Sequence, residues 1–125
     1  MPKQVLDVGQ CDMDHGTISQ LIEGQFDAKV TRVYSAPEAL MALREQPFDL
    51  VLVNRIMDRD HSEGIDLICE VKSDTALSSV PVMLITNFPE HAQQAVDAGA
   101  EPGFGKATIE AEQTRQRLAK ILGAG

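Results

Sequence analysis

Apolar positions along the chain switch between two spacings, short continuous or alternating runs and longer stretches with the period of a helix. Val5-Leu6-Asp7-Val8 is a strand-like run, after which Ile18, Leu21 and Ile22 recur at helical spacing. Residues 29–34 form a second strand rich in β-branched side chains. Ser35-Ala36-Pro37-Glu38 is a capping-box pattern with proline in the first turn. It opens a helix to about Glu45, whose buried face would carry Leu40, Met41 and Leu43. Leu50-Val51-Leu52-Val53 is apolar throughout, as expected of a central parallel strand covered on both faces. Ile65, Leu67, Ile68 and Val71 then mark a third helix, and residues 80–85 a fourth strand with Pro81 near its start. Residues 91–98 fit a short helix closed by Gly99, and 102–105 leave room for a brief fifth strand. Thr108 is placed to cap a last helix carrying Ile109, Leu118, Ile121 and Leu122 and ending at Gly123.

The pattern is β-α five times over, with no repeat, low-complexity tract or linker, so a single domain over 1–125 is expected. Such alternation gives a parallel sheet with helices on both faces and right-handed crossovers. Functional groups in that architecture gather at the carboxyl ends of the strands. Here those ends are Gly9-Gln10, Asn54, Thr86 and Lys106.

Charge narrows the candidate partners. A formal net charge of −8 works against broad nucleic-acid or anionic-membrane binding, both of which need a basic footprint. Arg115, Arg117 and Lys120 are interrupted by polar and apolar neighbours and read as a solvated helix face. No apolar run approaches the ~18 residues that span a bilayer, and the start of the chain lacks a secretory signal, so a cytoplasmic location is expected. Cys11 and Cys69 form no C-x-x-C pair and no zinc spacing, and are expected to be reduced thiols.

Three segments make the chain resemble the receiver domain of bacterial response regulators over essentially its whole length. Phe48-Asp49-Leu50-Val51-Leu52-Val53-Asn54-Arg55-Ile56-Met57 is similar to that family's third strand and acceptor loop. Pro81-Val82-Met83-Leu84-Ile85-Thr86 is similar to its fourth strand, ending on the switch hydroxyl. Ala98-Gly99-Ala100, followed by Phe104 and Lys106, is similar to the segment ending in its phosphate-binding lysine. The resemblance implies a flavodoxin-like (βα)₅ sheet in the order 2-1-3-4-5, with Val8, Val51, Val53 and Leu84 in the core.

The family's chemistry uses two acids after the first strand to hold magnesium and an aspartate after the third to accept a phosphoryl group. In this sequence the acidic-pair positions are Gly9 and Gln10, and the acceptor position is Asn54. Glycine has no ligand, glutamine only a neutral amide, and asparagine cannot form an acyl phosphate. The resemblance therefore implies a pseudo-receiver that is not an enzyme, takes no cofactor or metal, and works by binding a protein. A histidine kinase, another receiver or a second copy of itself would be that partner. In a stand-alone reading no output domain follows Gly123.

Thr86 and Lys106 match the switch and phosphate-binding positions. Either they sense some other occupant of the pocket, or they are structural, Thr86 capping the strand end and Lys106 pairing with the Asn54 amide. The structural reading is preferred. Ala107 replaces the usual proline after the lysine, so no cis peptide is expected there. The loop 54–64 is longer than usual, with Asp58 in place of proline, and the segment 86–106 is shorter, which trims the fourth helix. Gly103 stands at the aromatic switch position, and Phe104, one place later, would face the opposite side. A contact face around His91, Gln94, Phe104, Gln113 and Arg117 is expected on the fourth helix, fifth strand and fifth helix, with a homodimer as one outcome.

Rival chemistry has two seats. Asp12 and Asp14 are similar to part of an aspartyl phosphatase motif, but His15 interrupts it and no apolar strand precedes it; they could also serve as substitute metal ligands, and are read instead as acids near the positive end of a helix. Asp58, Asp60, His61 and Glu63 form a second acidic cluster that could hold a cation or accept phosphate, and is read as solvated. Small-molecule sensing in the vacated pocket is the third alternative. Gly103-Phe104-Gly105-Lys106 lacks the flanking residues of a P-loop, so no nucleotide site is assigned. Asp7, inside an apolar strand, needs a partner or a raised pKa, and the sequence does not name that partner.

Overall fold

The structure, a computed structural model, describes residues 2–123; residues 1, 124 and 125 lie outside the described residues. The strands are β1 (Lys3–Val8), β2 (Ala28–Val33), β3 (Leu50–Asn54), β4 (Val82–Ile85) and β5 (Glu101–Phe104). Between and after them lie α1 (Asp12–Gln25), α2 (Ala36–Glu45), α3 (Gly64–Ser73), α4 (Pro89–Asp97) and α5 (Glu112–Leu122). All strand pairs are parallel, in the order β2-β1-β3-β4-β5. This is the expected flavodoxin-like receiver topology.

Alternation along β3 splits the core in two. Val51 and Val53 join Leu6, Val8 and Leu84 beneath α2, α3 and α4. Leu50 and Leu52 point the other way, to Ile18 and Ile22 of α1 and Leu118 of α5. Leu50, Val51, Leu52 and Val53 are all fully buried, which explains why this stretch carries no polar residue before Asn54. Parallel strands with helices on both faces leave the carboxyl ends of the sheet as the open side.

Local chemistry sets several boundaries. The Ser35 hydroxyl accepts the Glu38 amide while the Glu38 carboxylate accepts the Tyr34 amide, so the expected capping box forms with its return bond one residue upstream. On α2, Leu43 is buried and Leu40 packs against the core as expected, whereas Met41 is exposed and the smaller Ala39 is buried. The last helix also differs from expectation. Lys106–Thr108 make a 3₁₀ turn and α5 starts only at Glu112, so Thr108 does not cap it. The Thr108 carbonyl instead accepts the Ala111 amide and the Thr114 hydroxyl, which turns the chain before α5 begins. Gly99, at φ 110, ends α4 as expected.

β5 departs from simple pairing. Met83 sits opposite Glu101 and Ile85 opposite Phe104, so β5 carries one extra residue, a β-bulge. Gly103 occupies it, and a Cβ there would lie 2.3 Å from the Leu84 carbonyl oxygen. The bulge turns Phe104 onto the α1/α5 side of the sheet, where it is buried with Met83, Ile85 and Leu118.

Candidate functional site

Four chain segments converge at the carboxyl edge of the sheet: the β1–α1 turn, the β3–α3 loop, the end of β4 and the residues after β5. At the first, Gly9 has φ 79, a left-handed conformation that suits glycine. Its carbonyl accepts both the Asp58 amide, at 2.9 Å, and the Asn54 Nδ2, at 3.0 Å. A Cβ on Gly9 would lie 2.2 Å from Met57 Sδ. Met57 is itself fully buried, plugging the space beneath the turn. Gln10 turns inward and is only 1% exposed. Neither acidic-pair position therefore presents a side chain to the open cleft.

Asn54 directs its amide nitrogen to Gly9 and not to Lys106. Lys106 Nζ lies 2.8 Å from Asp14 Oδ2, a carboxylate in the first turn of α1. The expected Lys106–Asn54 pairing is thus replaced by an ion pair. The Cys11 thiol donates to the same oxygen at 3.2 Å. Together these donors hold the Asp14 carboxyl below its usual range, the Lys106 hydrogen bond being the main cause. Thr86 Oγ1 accepts the Phe88 amide just ahead of α4. Asn87 Oδ1 accepts the Ala107 amide, tying the end of β4 to the turn after Lys106.

Two adjoining clefts share Asn54, Ile56 and Lys106. One, about 190 Å³, opens toward Cys11, Asp14, Asp58 and His61. The other, about 270 Å³, opens toward Arg55, Thr86 and Phe88. The Arg55 guanidinium lies over the half-exposed Phe88 ring, 5.4 Å from its centroid.

Asp7 finds its partner one element away. Its Oδ2 lies 2.7 Å from His15 Nδ1, while its own side chain is fully buried. Burial raises its pKa, opposed by His15, the nearby Gln10 amide and the more distant Arg32 charge. Among the described residues, Asp7 Oδ1, both Gln10 amide atoms and Arg32 Nε find no hydrogen-bond partner. The Arg32 guanidinium bonds to the Gln10 carbonyl and to Asp12, whose side chain is almost fully exposed. Asp12 and Asp14 therefore diverge: Asp12 faces β2 and Asp14 faces Lys106.

The acids of the β3–α3 loop do not converge. The loop folds into a small hairpin, with Ile56 bridged antiparallel to Glu63 and His61 at φ 60. Asp60 accepts the Ser62 amide and hydroxyl, and Asp58, His61 and Glu63 are exposed. No group of three His, Cys, Asp or Glu side chains able to hold a metal occurs among the described residues. On the expected contact face, Gln94 and Gln113 are exposed and His91 and Arg117 half-buried, but Phe104 is buried and cannot touch a partner. Arg117 Nη1 donates to the Gly103 carbonyl at 2.6 Å, bracing the bulge.

The topology defines a doubly wound, flavodoxin-like α/β domain. A family model for the response regulator receiver domain matches residues 14–119. The chain belongs to that family. Transcriptional regulatory protein ZraR of Salmonella typhimurium is 35% identical over 92 residues, which cover 71% of this chain and 20% of that protein. The chain thus spans about a fifth of the length of the curated relatives it matches. Among solved structures, a putative response regulator from Chloroflexus aurantiacus superposes with a TM-score of 0.86 at 20% identity, covering 98% of both chains. The signal receiver domain of a DNA-binding response regulator from Colwellia psychrerythraea gives 0.76 at 23% identity, covering 94% of this chain and 98% of that one. No helix among the described residues is long and apolar enough to cross a membrane.

Two contacts that shape the site carry no sequence signal, the packing of Met57 against Gly9 and the pairing of Asp14 with Lys106. Met57 gave no signal beyond being apolar in a polar loop. Asp14 was visible as an acid in the first turn of a helix, but its pairing with Lys106 depends on how α1 meets the end of the sheet.

Proposed function

We propose that this receiver domain acts as a phosphorylation-independent protein-interaction module of bacterial two-component signalling, without catalytic activity of its own. The observation that carries this reading is the closure of the acceptor corner. Asn54, at the acceptor position, is a neutral amide bonded to the Gly9 carbonyl, and Gly9 is backed by Met57. A carboxylate that attacks phosphorus has no counterpart at the end of β3, and the magnesium-holding pair has none at the end of β1. A cytoplasmic setting and a histidine kinase, another receiver or a second copy as partner fit this role. The face formed by α4, β5 and α5 is the contact surface in this reading, with Gln94, Gln113, His91 and Arg117 as its polar members. Phe104 supports that face from beneath.

Intact-mass measurement after incubation with a small acyl-phosphate donor and magnesium tests the reading. No acid-labile gain of about 80 Da is expected. A gain that survives Asn54→Ala and disappears on Asp14→Asn or Asp58→Ala would move the chemistry to those acids and end the reading. For the contact face, Arg117→Ala should weaken self-association or partner capture, measured by sedimentation or pull-down. Normal binding by Arg117→Ala, with binding lost on Gln20→Ala of α1, would place the contact on the other side.

A further inference from the structure

The lysine at the centre of the site already has an anion. We infer that Asp14 is the resident counter-ion of Lys106, a carboxylate supplied from α1 that closes the cleft to free phosphate-like anions. The inference rests on the phosphorylation-independent reading and says what occupies the lysine in its place.

Three observations meet at one oxygen. Lys106 Nζ is 2.8 Å from Asp14 Oδ2, and the Cys11 thiol donates to that oxygen at 3.2 Å. The pair is partly screened from water, with side-chain exposures of 35% for Lys106 and 29% for Asp14. The Asn54 amide, the other polar group between them and the sheet, is turned away to Gly9. Asp14 also lies in the first turn of a 14-residue helix, where a negative charge is favoured by the helix dipole. The other titratable groups lining this cleft are Cys11, Asp58 and His61. Asp58 is exposed and forms no ion pair with Lys106 among the described residues.

A tethered carboxylate competes with a diffusing anion at a high effective concentration. Inorganic phosphate reaching Lys106 must displace Asp14 and, at the same time, approach its released charge. Removing that charge leaves the ammonium unpaired in a cleft of about 190 Å³ whose other wall carries Asn54. The cleft then becomes an anion site.

Titration of inorganic phosphate into 15N-labelled protein, followed by amide shifts at Asn54, Thr86 and Lys106, tests this. Wild type and the control Asp12→Asn should give weak, non-saturating shifts. Asp14→Asn should bind phosphate roughly three- to tenfold more tightly, and adding Lys106→Met should abolish the gain. Equal affinity in wild type and Asp14→Asn would overturn the inference, as would a gain that persists without Lys106. Should Asp14→Asn fail to fold, Lys106→Met alone serves: the Asp14 carboxyl, followed by 13C shift, should titrate closer to the ordinary 3.8. An unchanged titration would overturn the pairing. A phosphoryl mass gain on wild type would end the phosphorylation-independent reading and leave the titration difference intact, so the two failures are distinguishable.

Discussion

Adding a single methyl group at Gly9 tests whether the proposed absence of an acidic pair after β1 is a matter of residue identity or of architecture. Gly9 sits at φ 79, where an L side chain is strained by about 1–2 kcal/mol. Its Cβ would stand 2.2 Å from Met57 Sδ and 3.3 Å from Met57 Cα, so the thioether must move inside a fully buried site. Overpacking of that kind costs about 1–3 kcal/mol. Gly9→Ala should therefore destabilise the domain by about 2–5 kcal/mol, and Gly9→Asp by at least as much. Urea denaturation reads this as a lower midpoint at an unchanged slope. Met57→Ala separates the two causes: it is destabilising alone, but in the double variant it makes room for the new methyl, so the pair should cost less than the sum. A Gly9→Ala variant within about 0.5 kcal/mol of wild type would refute the argument. So would strict additivity with Met57→Ala. If the argument holds, restoring aspartates at positions 9, 10 and 54 without changing Met57 cannot rebuild a metal site of the usual kind.

Other outcomes follow from the same packing. Leu52→Ala or Leu84→Ala should cost about 2–5 kcal/mol, and Phe104→Ala about 3–5, read by the same denaturation, with Phe104→Ala acting through stability before any effect on a partner. Stability should respond to acid through two carboxylates of opposite sign. Asp14, held low, stabilises the fold above its unfolded pKa and loses that contribution as pH falls through its folded pKa, so Asp14→Asn should flatten the acid limb of denaturation midpoints. Asp7, raised by burial, binds its proton more tightly in the fold, so its contribution falls as pH rises from 3.8 to the raised value. Asp7→Asn should remove that loss; an unchanged slope on the same pH series would show that Asp7 ionises freely.

The sheet was readable because each strand is a local apolar run and a parallel sheet buried on both faces tolerates little else. Leu50 to Val53 announce themselves. What escaped depended on partners distant in sequence. Thr108 has the side chain of a cap, but its carbonyl is claimed by Ala111 and Thr114, and α5 begins later. Phe104 follows the usual alternation on paper, and only the bulge at Gly103, a property of β4 and β5 together, decides its face. Met41, expected on the buried face of α2, is exposed, and the smaller Ala39 is buried. At the site, the identities of Gly9, Gln10 and Asn54 at the strand ends were plain from the sequence, while the Asp14–Lys106 and Asp7–His15 pairs exist only once α1 is docked.

The hairpin after β3 has a consequence for motion. Four of its amides donate to backbone carbonyls: Met57 to Ser62, His61 to Met57, Gly64 to Arg55 and Asp58 to Gly9. Opening this segment would break those bonds and expose Met57, a cost met only in larger unfolding events. Slow amide exchange is therefore expected at Met57 and Asp58, in step with the β1 strand end. The segment is thereby tied to the scaffold through the β1–α1 turn, where the Asp58 amide meets the Gly9 carbonyl.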